Sequence, residues 1–429
     1  MPPHRVRALG LAAAVALLAV CVPAASGAFT LSSNAGGRLI APGRTGASAI
    51  SDGAGGAIVA SRDPTTATAV LNRYAPDGSA LWAQGLSFAG ATGIEIAPDG
   101  AGGVIVGVPD DASPGMIVGR ILHSGATTWQ ATFPSGVLAS GGDGGAWVVS
   151  QGGELFVDGI TAAGVLRPRV QLSAESLGSE SFPAAIGDGA GGAYFAWRVA
   201  TGGEQFALRL QHIDAGGAMW PQAADVAGSS ESGIAPHLSP DGRGGVLVSW
   251  HAAGQMWVHD YGIDGAPAWE RVLTLSGASP QFHIAAAGGP GAYVVWTRRL
   301  RAEPLPVDML SVTYVENGAA RWTRNLDSVD GGVLDVRAVS QAGGAALAVG
   351  WQSAQLPVVG PAVDPDLSIA RVTAAGFGAY GLDGAKPLAT SLGPDTFGAL
   401  VDGGGGSVVA VFTQSPCLRG DASGVAMQR

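Results

Sequence analysis

The chain of 429 residues carries 69 Gly and 26 Pro, a turn-rich composition, yet 47% of its residues are hydrophobic and its mean hydropathy is +0.28. So much apolar side chain excludes an intrinsically disordered protein and requires a large buried core. With 33 acidic against 23 basic residues and a formal charge of -10, the chain lacks the positive field that phosphate binding needs, which excludes nucleic acid as a partner.

Residues 1-27 read as a secretory signal peptide. His4, Arg5 and Arg7 form a basic start, Leu9 to Val22 an apolar run, and Ala25-Ser26-Gly27 supplies small residues before a cut ahead of Ala28. The run is shorter than the roughly 20 apolar residues of a transmembrane helix, and no later segment competes. The expectation is a protein with no membrane span, secreted to the periplasm or the medium. Cleavage removes Arg5 and Arg7 and no acid, leaving 21 basic against 33 acidic residues and a charge of -12. A lipoprotein anchor at Cys21 is the rival reading, but Val20 stands where such signals carry a small residue. Once Cys21 is lost, Cys417 is the last cysteine and no internal disulfide can form.

From residue 52 onward the sequence repeats itself. Asp52-Gly53-Ala54-Gly55-Gly56 precedes apolar Ala57 to Ala60, and the phrase returns at Asp99, Asp188, Asp241 and Asp402. Degenerate copies stand at Gly144-Gly145, Pro290-Gly291 and Gly343-Gly344. The second residues of these eight pairs fall at 56, 103, 145, 192, 245, 291, 344 and 406, a mean spacing of 50. Between them lies a second turn followed by an aromatic residue: Asp77-Gly78 before Trp82, Ser124-Gly125 before Trp129, Gly216-Gly217 before Trp220, Asp264-Gly265 before Trp269, Asn317-Gly318 before Trp322 and Ala375-Gly376 before Tyr380. Two tight hairpin turns per unit imply four strands, and four strands in about 50 residues leave no room for helices.

The strands after the Gly-Gly pairs, such as Ala193-Tyr194-Phe195-Ala196-Trp197, are apolar at successive positions. Both of their faces must therefore be covered. Four-stranded sheets arranged radially, each packed between two neighbours, meet that condition and protect the strand edges. A linear solenoid would need polar capping repeats, which neither end supplies. The expected fold is an all-β β-propeller of eight four-stranded blades. Seven blades would result if the weak unit near residue 145 were irregular. Residues 28-429 form a single domain in this reading, with residues 28-45 providing the outermost strand that the last unit lacks.

The units resemble secreted bacterial β-propeller repeats written Asp-Gly-x-Gly-Gly, then Asp-x-x-Gly-x-x-x-Trp, and the resemblance covers nearly the whole mature chain. The second phrase, seen in Asp77 to Trp82 and Asp264 to Trp269, is also similar to the tryptophan-docking repeats of quinoprotein dehydrogenases and of the outer-membrane assembly propeller. That resemblance implies a Trp packed between blades and carries little about activity.

No catalytic or metal-ligand constellation stands out. The closest mature histidines, His251 and His259, have no acidic ligand pattern beside them, and the Gly-rich turns open strands rather than the helix a phosphate loop requires. No metal and no cofactor is implied. Of the aromatic residues Trp197, Trp250, Trp296, Trp351 and Phe412, most lie five residues after the second Gly of their units, which points to packing between blades more than to a sugar-stacking surface. The Gly-rich turns share one face, so the remaining loops collect on the other. Two of these read as long: Arg298 to Asp308 and Gln352 to Asp366, in adjacent units. They place the expected ligand site at Arg298, Arg301, Asp364 and Asp366. The functional expectation is an exported, monomeric, non-catalytic module that binds a protein or carbohydrate ligand at this loop face. The alternative is a propeller enzyme, either a quinone-dependent dehydrogenase or glycan-cleaving. The mostly small, apolar inner strands (Ala47 to Ser51, Ile94 to Ala97, Ala184 to Ile186, His283 to Ala286) favour binding over chemistry.

Overall fold

The computed structural model describes residues 38-429 except 90, 92, 111-114, 152-153, 174-182, 203-204, 231-234, 253, 275-280, 303-305, 354-365, 374-375, 378-385, 390-394 and 415-423. The described residues are all β, the one helical turn being the short 3-10 segment Ala342–Gly344. Blade 1 holds Thr45–Ser51, Ala57–Asp63, Thr68–Tyr74 and Leu86–Phe88; blade 2 Glu95–Pro98, Val104–Asp110, Gly115–Ile121 and Thr127–Pro134. Blade 3 holds Gly136–Ser140, Ala146–Gln151, Leu155–Ile160 and Val170–Ser173; blade 4 Ala184–Gly187, Ala193–Gly202, Gln205–Ile213 and Ala224–Ser230. Blade 5 holds His237–Pro240, Val246–Ala252, Gln255–Tyr261 and Pro267–Thr274; blade 6 Phe282–Ala286, Gly291–Arg301, Val307–Glu316 and Ala319–Asp330. In blade 7, Val333–Gln341 and Ala346–Ser353 precede Asp366–Thr373, which pairs on its far side with both Gly376–Phe377 and Lys386–Ala389.

Blade 8 draws on both ends of the chain. Thr396–Asp402, Val408–Gln414 and Gly424–Gln428 form three strands, and Arg38–Pro42 is the outermost, antiparallel to Gly424–Gln428 with Leu39 opposite Ala426. Each inner strand contacts the inner strand of the next blade, and that of blade 8 contacts that of blade 1, so the ring closes. The protein is an eight-bladed β-propeller. The unit near residue 145 forms a complete sheet, which rules out the seven-bladed alternative.

The repeated glycine phrase makes the turn from inner to second strand. In blade 1 the Asp52 carboxylate accepts the amides of Ala54 and Gly56 through Oδ1, both at 2.8 Å. Gly53 and Gly55 take φ of +71° and +90°, a region costly for any residue with a Cβ. At Gly56 the reason is proximity: a Cβ there would lie 2.1 Å from the carbonyl oxygen of Tyr74 on the third strand.

The core lies between blades. Ile58, Ala60 and Leu71 of blade 1 pack with Val104, Val106 and Ile121 of blade 2, and each buried Val, Leu or Ile contributes roughly 1.5–3 kcal/mol. Trp197, Trp250, Trp351 and Phe412 are all buried, so these aromatic residues hold the ring together and offer no stacking surface. Trp296 is partly buried and donates from Nε1 to Thr313 Oγ1 at 3.0 Å.

In blades 1 to 5 the passage from third to outer strand fastens the blade to its successor. Trp82 of blade 1 donates from Nε1 to the His123 carbonyl of blade 2 at 3.1 Å, and its ring lies where a Cβ on Gly125 would approach to 3.1 Å. Trp220 repeats this on blade 5, donating to the Ile263 carbonyl at 2.8 Å, with its ring against Gly265. Trp129 and Trp269 lie against Gly164 and Gly318 of their following blades. Blade 3 has no Trp in this turn. There Arg167 stacks over Trp147, its guanidinium carbon 4.7 Å from the ring centre, and donates to the Ala215 carbonyl of blade 4.

Candidate functional site

With strands running alternately up and down, the inner-to-second and third-to-outer turns share one face of the ring. The second-to-third turns and the connections between blades share the other, the loop face. Blades 4 and 6 project furthest there among the described residues: their second strands run 10 and 11 residues and their third strands 9 and 10, against seven each in blades 1, 2 and 5. Three extra residues of strand on this side add about 10 Å.

This projection corrects the sequence reading of Arg298 to Asp308 as a loop. Arg298 pairs with Met309, Arg299 with Asp308 and, after a bulge, Arg301 with Val307. Charged residues on consecutive positions suggested a loop because a strand covered on both faces needs apolar ones. Here Arg298 to Arg301 run on past the packed part of the blade and are exposed at successive positions, while Val307 and Asp308 opposite them are buried. Its base is braced by Asp308, a buried carboxylate that accepts Arg299 Nη2 at 3.3 Å, pairs also with Arg299 Nε, and accepts the Val333 amide of blade 7 at 2.9 Å.

Arg298 and Arg301 are exposed on this arm. Leu300 and Leu334, 47% and 51% exposed, add apolar surface from blades 6 and 7. Asp366 opens the third strand of blade 7 opposite Ser353, on the same face, whereas Asp364 lies outside the described residues. Arg298 and Arg301 therefore share one strand of blade 6, and Asp366 belongs to the next blade.

The channel carries polar groups that the sequence reading passed over. Inner-strand residues Ser48, Glu95, His237 and His283 pair with Ala60, Gly107, Ser249 and Val295. Each is the fourth pair from the glycine turn, so the four occupy one level of the ring. Glu95 and His283 belong to blades 2 and 6, four apart in a ring of eight, and so stand on opposite walls. Both line a cavity of about 480 Å³. Arg337 of blade 7 lines it beside His283 and pairs with Asp335 at 3.0 Å. A second cavity of about 380 Å³ opens toward the glycine-turn face and shares His283 and Ala338 with the first.

Desolvation by the channel walls pushes the Glu95 carboxyl above its ordinary range although the residue is exposed to the cavity, and the Leu138 amide that donates to Oε2 at 3.1 Å opposes the shift. Burial, then the Arg337 guanidinium and His237, pushes His283 down to about 4, so its ring is neutral at pH 7. Desolvation also lowers His237, an exposed residue that sits edge-on to Phe282 at 4.8 Å between ring centres. The signal for this level was present in the sequence: Glu95, His237 and His283 each precede the second residue of their Gly-Gly phrase by the same interval, at Gly103, Gly245 and Gly291.

Among the described residues no group of three or more His, Cys, Asp or Glu is placed to hold a metal ion, and no helix is long and apolar enough to cross a membrane.

No family model matches the chain, and no curated protein matches it. Among solved structures it is similar to prolyl oligopeptidase B from Galerina marginata bound to a 35-residue hydrolysis and macrocyclization substrate, at 10% identity and a TM-score of 0.49 over 87% of this chain and 55% of that one. It is also similar to an ulvan lyase, at 9% identity and a TM-score of 0.40 over 67% and 78% of the two chains. A third similarity is to the six-bladed fucose-binding lectin of Aleuria aurantia, at 13% identity and a TM-score of 0.39 over 83% and 100%. The chain spans about half the length of the oligopeptidase.

Proposed function

We propose that the chain is an exported, monomeric, non-catalytic propeller that binds a protein or carbohydrate ligand at its loop face. The observation that carries this reading is the braced arm of blade 6. Arg298 and Arg301 stand exposed on a hairpin whose base is fixed by Arg299, Asp308 and the Val333 amide, so little order remains to be gained on binding. Two arginines on a projecting hairpin of a chain with a formal charge of -10 form a local positive site that favours acidic groups on a ligand. Leu300 and Leu334 supply the apolar contact beside them. Asp364 and Asp366 complete the proposed set of ligand contacts, as carboxylates able to accept hydroxyl or amide donors. Profiling the purified protein on arrays of glycans and acidic peptides tests the reading. Saturable binding that favours uronate-bearing, sulfated or Asp/Glu-rich members supports it, and a uniformly blank array refutes it.

A further inference from the structure

We infer that the channel is a second binding site, independent of the loop face, and that it takes a neutral, hydroxyl-rich ring molecule of monosaccharide to disaccharide size. A cavity of about 480 Å³ lies within the ~300–1,000 Å³ of small-molecule sites. Its walls mix apolar Ile96 and Leu400 with Ser48, Glu95, His283 and Arg337. His283 Nδ1 is buried and has no hydrogen-bond partner, a costly state for a ring nitrogen that a ligand hydroxyl relieves. The neutral imidazole has one donor and one acceptor nitrogen, Glu95 accepts from the opposite wall and Arg337 donates. A hydroxyl both donates and accepts, so a polyol meets all three groups, and its carbon faces meet the apolar wall.

The charge balance argues for neutrality. Asp335 pairs with Arg337, so an anion finds no uncompensated cation in the cavity. A cation finds Glu95 alone, a carboxyl whose surroundings favour its uncharged form. An uncharged ligand meets neither penalty.

Isothermal titration calorimetry of the purified chain with glucose, galactose, maltose and cellobiose, and with glucuronate and glucosamine as charged counterparts, tests the inference. One or more neutral sugars should bind with one-to-one stoichiometry. Glu95→Gln and His283→Ala should each weaken that sugar by about tenfold, the loss of one hydrogen bond to a charged or buried group. The double variant Arg298→Ala/Arg301→Ala should leave it unchanged, which separates this site from the loop face. Glu95→Gln preserves shape, and the thermal melts of both channel variants report folding. In the wild-type protein the His283 ring-nitrogen resonances should move on sugar addition. Failure of every neutral sugar to bind, tighter binding of glucuronate or glucosamine, or wild-type affinity in both channel variants would overturn the inference.

Discussion

Arg73 closes on Asp52 across the width of blade 1: its Nε and Nη2 lie 2.9 and 2.8 Å from Asp52 Oδ2, while Oδ1 holds the amides of Ala54 and Gly56. Arg120 meets Asp99 in the same way, with Nε and Nη2 both at 3.0 Å. In blade 4 His212 takes the arginine's place, with Nε2 2.9 Å from Asp188 Oδ2. Burial alone would raise Asp188, but His212 and the amides of Ala190 and Gly192 hold it below the usual carboxylate range. One carboxylate thus orders the glycine turn with one oxygen and ties it to the third strand with the other.

Because Asp52 and Arg73 are both buried, removing one partner strands the other charge. Asp52→Asn keeps the acceptor for the turn amides and loses the ion pair, and should destabilise by about 3 kcal/mol. Asp52→Ala also loses the amide bonds and should cost about 1 kcal/mol more. Urea unfolding of Asp52→Asn, Arg73→Gln and the double variant measures this; a coupling below ~0.5 kcal/mol would show the two to be independent.

Gly125 and Gly217 have nearly equal φ, +89° and +88°, but a Cβ on Gly125 meets the Trp82 ring at 3.1 Å and one on Gly217 meets nothing within 4 Å. Both Ala variants should lose ~1 kcal/mol to backbone strain. Gly125→Ala should lose a further ~1–3 kcal/mol to overpacking and shift the tryptophan fluorescence. Equal melting temperatures for the two would contradict docking of Trp82 on the next blade.

Val425, Ala426 and Met427 are fully buried beneath Arg38–Pro42. Deleting residues 38-42 should expose that strand edge, lower the melting temperature and promote self-association, which size-exclusion chromatography with light scattering detects. An unchanged monomer with an unchanged melt would show the strand to be dispensable.

His283 binds its proton only near pH 4 in the folded protein, against 6.5 ordinarily. Its contribution to stability is therefore full above pH 6.5 and is lost as pH falls toward 4, because the unfolded chain takes up the proton first; the loss is at most about 3 kcal/mol. Glu95 is shifted upward and acts in the opposite sense, contributing most at low pH and losing that contribution as pH rises through its folded value. His283→Gln should flatten the fall in urea midpoint between pH 6.5 and 4 relative to wild type, and an identical slope would contradict the burial of a neutral ring.

The architecture was legible because turn chemistry is local. Asp-Gly-x-Gly-Gly specifies its own hairpin, and the apolar run after it shows that both faces are covered. What the sequence concealed depends on register. Nothing adjacent to Arg73 or Arg120 marks it as the partner of a turn carboxylate many residues earlier. Arg167, a different residue type doing the cross-blade work of Trp82, is invisible to a search for the tryptophan. Glu95, His237 and His283 stand at one interval before their glycine turns, but single polar residues in short apolar strands read as incidental. Arg298 to Asp308 passed for a loop because an exposed strand extension has the composition of one.

The most direct test of the ligand site is the affinity of wild type and Arg298→Ala/Arg301→Ala for the strongest ligand found on the arrays, measured at two salt concentrations. The account predicts that the variant binds at least about tenfold more weakly, and that added salt weakens wild type more than the variant, since exposed charges are screened. Equal affinity and equal salt dependence in the two proteins would contradict it and place the ligand elsewhere on the ring.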